Sequence, residues 1–257
     1  MKKIYKLMVA CLMGLTLTNC NDFLDYNPTA VIDEDKAFSE PEKMVNAAYA
    51  MLGDCWFSYP FNLFPYGDIT SDDCLKGGSG TTDTGYHPFE IWPTLTATTP
   101  GEMDELWYRL YCAVSRCNRA LVSLERNGVA KLGSDISEQR IAEVKFLRAH
   151  FYYKLLTVFR QVPWIDEVAY LNNSIEQIPN DEFSYEGLFG KVIADFETAY
   201  NVLPEKQSDG GRVNKIAAAA YLAKCYWGLA WGDGYEATTG VNHINEEYMR
   251  KVVIYTD

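Results

Sequence analysis

The chain has 257 residues, 48% of them hydrophobic and 14% aromatic, a composition that excludes a disordered or fibrous protein. Its formal net charge of -12 repels nucleic-acid backbones and anionic lipid surfaces, so neither is an expected partner.

Lys2, Lys3 and Lys6 open the chain, and an uncharged run from Leu7 to Thr18 follows. A basic start and a short apolar run make a secretory signal, since the run is too short to cross roughly 30 Å of hydrocarbon. The segment Leu17-Thr18-Asn19-Cys20 resembles a bacterial lipobox, although Asn19 stands where Gly, Ala or Ser is usual. On that reading 1–19 is a lipoprotein signal peptide and the acylated Cys20 is a membrane anchor. An ordinary signal peptide, with Cys20 a stray thiol, is the plainer alternative. Loss of the signal removes three lysines and no acid, which takes the net charge from -12 to about -15.

Beyond the signal the pattern is helical. Ser39-Glu40-Pro41-Glu42 reads as a capping box opening a helix through about Leu52. A second helix is expected from Glu102 to about Arg126, stopped near Asn127-Gly128, and a third from about Ser137 to Arg160, stopped before Val162-Pro163. Ser184 opens a fourth that reaches Leu203-Pro204, Asn214 a fifth that runs to about Trp231, and Glu246 begins a sixth. Apolar residues surround the helix from Ile141 to Phe159 on nearly all sides, which predicts burial between neighbours. The helix from Ile216 to Trp227 is alanine on one side and aromatic on the other, with the rings expected to fill the next groove. Such pairs predict an all-α, tetratricopeptide-like helical-repeat scaffold over 20–257.

The connection from Gly53 to Gly101 is too long for an ordinary turn and carries Trp56, Tyr66, Tyr86, Phe89 and Trp92 among its aromatics. A solvated linker carries far fewer rings. Of seven cysteines, Cys55, Cys74, Cys112, Cys117 and Cys225 remain after Cys11 and Cys20 are set aside. No CxxC or Cys/His spacing suits zinc, so no metal is expected. A Cys55–Cys74 bridge stays open, and reduced thiols acting as small hydrophobes are the favoured reading. His87, His150 and His243 have no HExxH spacing, and Gly77-Gly78-Ser79-Gly80 is not G-x-S-x-G, so no catalytic residue and no cofactor is assigned. His150, on a crowded helix, reads as a core or interface histidine.

The order of several short motifs is more telling than any one of them. Cys20-Asn21-Asp22-Phe23-Leu24-Asp25 with Pro28, then Glu143-Val-Lys-Phe-Leu-Arg-Ala-His-Phe-Tyr-Tyr153 with Val162-Pro163, then Asp195 to Leu203-Pro204, then Gly211-Arg212 and the alanine-rich helix resemble the SusD/RagB family of outer-membrane lipoproteins. Arg160 stands where that family usually places glycine, and its members are considerably longer, which points to a truncated gene product. The resemblance implies a cell-surface, lipid-anchored protein that captures glycans, or sometimes peptides, over a TonB-dependent outer-membrane transporter. It also implies inserted loops that hold the ligand, and no enzyme activity. Sugar capture needs flat rings against a pyranose face and carboxylates or amides at its rim, and the long loop supplies Trp92, Tyr86, Asp72 and Asp73. For each the plainer role is structural, the rings pinning the loop and the aspartates making a turn in Thr70-Ser71-Asp72-Asp73. A protein–protein adaptor with no glycan ligand is the alternative reading. An adaptor groove would keep its recognition residues on the helices.

Overall fold

The computed structural model describes residues 34–53, 66–71, 73–78, 86–91, 101–172, 175–231, 235–236, 241–242 and 244–257. Contacts divide the chain into two units, Met1–Lys36 and Ala37–Asp257, and the architecture below is that of the second. Its elements are α1 (Glu34–Phe38, which begins just ahead of it), α2 (Pro41–Tyr49), α3 (His87–Ile91), α4 (Gly101–Leu132), α5 (Ser134–Phe159), α6 (Glu167–Leu171), α7 (Tyr185–Val202), α8 (Lys215–Trp231) and α9 (Glu246–Thr256). A two-residue antiparallel ladder, β1 (Tyr235–Glu236) with β2 (Val241–Asn242), pairs Tyr235 with Asn242. Each long helix packs on the next, α4 on α5, α5 on α7, α7 on α8 and α8 on α9, while α2 lies on α4 and α5. This is the all-α, tetratricopeptide-like scaffold expected, with the small ladder an addition to it.

Local capping chemistry places the starts of α7, α8 and α9. Ser184 accepts from the Gly187 amide at 3.1 Å, Asn214 from Ala217 at 2.9 Å, and Asn245 from Glu247 and Tyr248 at 3.1 and 3.2 Å. Two expected boundaries are wrong. Ser39 is not the cap of α2, because Pro41 takes the first helical position and Glu40 becomes the N-cap, with φ of -122°, ψ of 67° and no side-chain cap bond. Nor does α4 stop at Asn127-Gly128. A Cβ on Gly128 would lie 2.2 Å from Ser137 Oγ, so this glycine permits close approach of α4 and α5. The turn comes at Gly133, with φ of 84° and an amide bonded to the Val129 carbonyl at 3.0 Å.

The core is built around α5, whose Val144, Phe146, Leu147, Phe151, Tyr152 and Leu155 are buried on several sides, as its continuous apolar pattern predicts. Two charges are buried with them. Glu143 is fully buried and accepts from Arg140 Nη1 and Arg212 Nη1, both at 2.8 Å, from Tyr49 Oη at 2.9 Å and from Gln207 Nε2 at 3.2 Å. Glu42 on α2 meets the same two arginines at 2.9 and 2.6 Å, so α2, α5 and the α7–α8 connection are tied at one point. One turn and a half further along α5, Arg148 makes a two-pronged bond to Asp195 on α7, at 2.7 and 3.0 Å. It also donates to Asn118 on α4 at 3.2 Å and to Glu167 on α6. Removing one partner of such a pair leaves an uncompensated buried charge, which costs on the order of 3–5 kcal/mol.

The exit from α5 is strained. Arg160 has φ of 59° and ψ of -66°, and the Gln161 amide bonds back to the Phe159 carbonyl at 2.7 Å, a γ-turn of the rare sign. Its guanidinium lies 4.6 Å from the Tyr185 ring centroid, a contact that offsets part of the strain. Arg160→Gly and Arg160→Ala both lose that contact, but only glycine relieves the backbone. The glycine variant is expected to be the more stable of the two by about 1 kcal/mol in urea denaturation. Equal midpoints would show that the turn stores nothing.

His150 lies between the Phe151 and Tyr221 rings, at 5.4 and 5.2 Å. Burial first, then the charges of Lys154 and Lys224, push its imidazole down to about 3. An unfolded chain protonates this residue near pH 6.5 and the folded chain does not, so its contribution is complete above that pH and is lost as pH falls toward 3. One proton corresponds to a slope of about 1.4 kcal/mol per pH unit. Stability of His150→Phe, followed by urea denaturation from pH 7 to 4, is expected to fall less steeply than that of the parent, and an unchanged slope would refute the assignment.

Candidate ligand site

The described parts of the long connection between α2 and α4 are held together by their own aromatics. Residues 67–71 form a compact turn in which Thr70 and Ser71 hydroxyls donate to the Gly67 and Asp68 carbonyls, both at 3.1 Å, and the Cys74 amide bonds to Asp68 O at 3.3 Å. Ile69 and Phe89 are buried beneath it, and Tyr66 packs against the main core. The Phe89 ring meets Tyr66 edge-on at 5.1 Å and Tyr86 at 6.4 Å, which brings the turn and α3 into one neighbourhood. His87 Nδ1 lies 3.3 Å from Glu90 Oε2 on α3.

Of the four residues expected to hold a ligand, two are described. Tyr86 is half-buried at the start of α3, against Phe89. Asp73 is exposed just past the turn. Burial, then the carboxylates of Asp68, Asp73 and Glu90, hold the Cys74 thiol above its ordinary range. Asp72 and Trp92 lie outside the described residues. Among the described residues the turn is held by the Thr70 and Ser71 hydroxyls. Cys74, Cys112, Cys117 and Cys225 are free thiols, so Cys74 is not bridged, and Cys55 lies outside the described residues.

A second aromatic surface was not anticipated. The α8 rings expected to fill one groove are divided. Tyr221 stacks on Phe196 at 5.1 Å and Tyr226 on Tyr255 at 5.9 Å, whereas Trp227 and Trp231 point outward, 56% and 38% exposed. Their centroids are 6.4 Å apart, one helical turn along one face that also carries Ile216 at 62% exposure. The spacing of 227 and 231 was legible as a pair on one face, but its direction depends on where α7 and α9 lie. Trp107 and Trp164, by contrast, are spent on the scaffold. Trp107 packs against Tyr111 and Phe159, while Trp164 stacks on Tyr152 at 4.2 Å beneath the Arg148 guanidinium.

Both surfaces offer aromatic rings. Among the described residues no group of three or more His, Cys, Asp or Glu side chains gathers as metal ligands, and no helix is long and apolar enough to cross a membrane.

Comparison with known proteins agrees with this architecture. The model of a SusD-like family, described as starch-binding and associating with the outer membrane, matches residues 22–227. SusD-like protein P2 of Formosa agariphila is 28% identical over 246 residues, covering 92% of this chain and 45% of its own length. The chain thus spans less than half of that relative. A SusD homologue from Bacteroides thetaiotaomicron superposes with a TM-score of 0.60 at 20% identity, over 85% of this chain and 39% of the other. A laminarin-binding SusD-like protein does so with a TM-score of 0.58 at 24% identity, over 74% and 40%. At those identities the solved structures establish a shared fold.

Proposed function

This chain belongs to the SusD-like family, and on that premise we propose that it captures oligo- or polysaccharide at the cell surface and passes it to a TonB-dependent outer-membrane transporter. Cys20 is the lipid anchor in this reading. The observation that carries the proposal is the family match over residues 22–227. A relative of the same fold that binds laminarin supports it, as do the aromatic residues of the long connection.

Trp92 is the platform for a pyranose face, Tyr86 extends it, and Asp72 and Asp73 accept hydrogen bonds from neighbouring hydroxyls. Such a site binds without proton transfer, which separates it from a hydrolase. A formal charge of -12 favours neutral glycans over sulfated or uronic ones. One observation favours a second reading, an adaptor whose ligands are proteins. Trp227 and Trp231 are exposed on a helix, where an adaptor would keep its recognition residues.

Affinity electrophoresis through a panel of neutral polysaccharides tests both readings. At least one glycan is expected to retard the chain, and Trp92→Ala to weaken that binding about tenfold, or about 1.4 kcal/mol, with unchanged helical circular dichroism. No retardation by any glycan, while a barrel transporter still co-purifies, would overturn capture in favour of the adaptor. Full affinity in Trp92→Ala with loss in Trp227→Ala would move the platform to α8.

A further inference from the structure

A socket on α4 grips the chain at Phe38. The Phe38 ring is 3% exposed, and its carbonyl accepts from Ser123 Oγ at 2.7 Å and from Asn127 Nδ2 at 2.9 Å. The Arg126 and Arg119 guanidinium carbons lie 5.0 and 6.0 Å from the ring centroid. Arg119, Ser123, Arg126 and Asn127 recur at three- and four-residue intervals, on one face of α4.

The chemistry fits a latch better than ordinary core packing. Phe38 ends α1, so its carbonyl has no partner in a following helical turn, and two α4 side chains take that place. The ring meets two cations in an acidic protein, a contact that needs an aromatic side chain at this one position. Arg119 Nε is buried without a hydrogen-bond partner among the described residues, and the guanidinium carbon stands 6.0 Å from the Phe38 ring centroid. The boundary between the two units of the chain falls between Lys36 and Ala37, immediately before the gripped residue.

We propose that Phe38 is a latch that fixes where the scaffold begins and holds it against the pull of the chain leading back to the anchor. The latch rests on the geometry alone, and its role as the end of a tether rests on the proposed lipid at Cys20. Residues 20–37 cannot extend beyond about 60 Å, so the latch sets how far from the membrane the scaffold can stand. It also protects a vulnerable bond. Lys36 is the first basic residue after Cys20, and cleavage after it would shed the scaffold from the anchor.

Trypsin digestion of the purified full chain under native conditions, read by intact mass, tests this. Cleavage after Lys36 is expected to be slow in the parent, at least tenfold faster in Phe38→Ala and several-fold faster in the milder Asn127→Ala. Cleavage after Lys145 and Lys191, within α5 and α7, is expected not to change. If Lys36 is cut at the parental rate in both variants, the latch is overturned. If all sites accelerate together, Phe38 is only a general stabiliser and the latch is equally overturned. Failure of fatty-acid labelling at Cys20, with the differential at Lys36 intact, would remove the anchor and leave the latch standing.

Discussion

The scaffold depends on a carboxylate with no access to water. Glu143 is tolerated inside the helix stack because two arginines, a tyrosine and a glutamine donate to it, and those donors come from three different parts of the chain. A buried ion pair is weak evidence for stability as such, since an apolar set of the same shape can be equally stable. What it supplies here is register. Tyr49 Oη also accepts from the Val213 amide at 3.2 Å, so α2 and the loop before α8 are joined to each other as well as to α5. Arg148 does the same among α4, α5, α6 and α7.

This explains why the motifs most telling in the sequence are not the ones that would touch a ligand. Glu143, Arg148, Asp195 and Arg212 all belong to the resemblance, and all are consumed in the two clamps. Tyr152 and the Val162-Pro163 exit belong to it too. The Tyr152 hydroxyl accepts from the Ile165 amide at 2.6 Å and its ring stacks on Trp164, which fixes the segment that leaves α5. The recognisable pattern therefore reports the fold. On the proposed reading, ligand choice falls to surface rings outside that pattern, such as Tyr86 and Trp92.

Much of the fold was legible because its signals are local. Ser184 and Asn214 cap helices through amides three residues away, and the apolar residues around α5 announce neighbours on several sides without naming them. The failures are non-local. Gly128 looks like a stop until Ser137 is known to lie against it, and Ser39 looks like a cap until the conformation forced on Glu40 by Pro41 is considered. Arg160 was visible as an anomaly in sequence, and its positive φ gives the physical reason that glycine suits the position. The site was the least legible part. Nothing in the spacing of Trp227 and Trp231 says that one helix face is bare, and Asp73 reads the same whether it binds a ligand or only lies at a turn.

The clamp at Glu143 is the central claim, and a double-mutant cycle tests it most directly. Glu143→Gln, Arg212→Gln and the double variant would be compared with the parent by urea denaturation. The account predicts a coupling energy on the order of 2 kcal/mol or more, because either single change deprives a buried or half-buried charge of one of its ionic partners. Effects that simply add, to within about 0.5 kcal/mol, would show that the two residues stabilise the scaffold independently and that the clamp does not hold it.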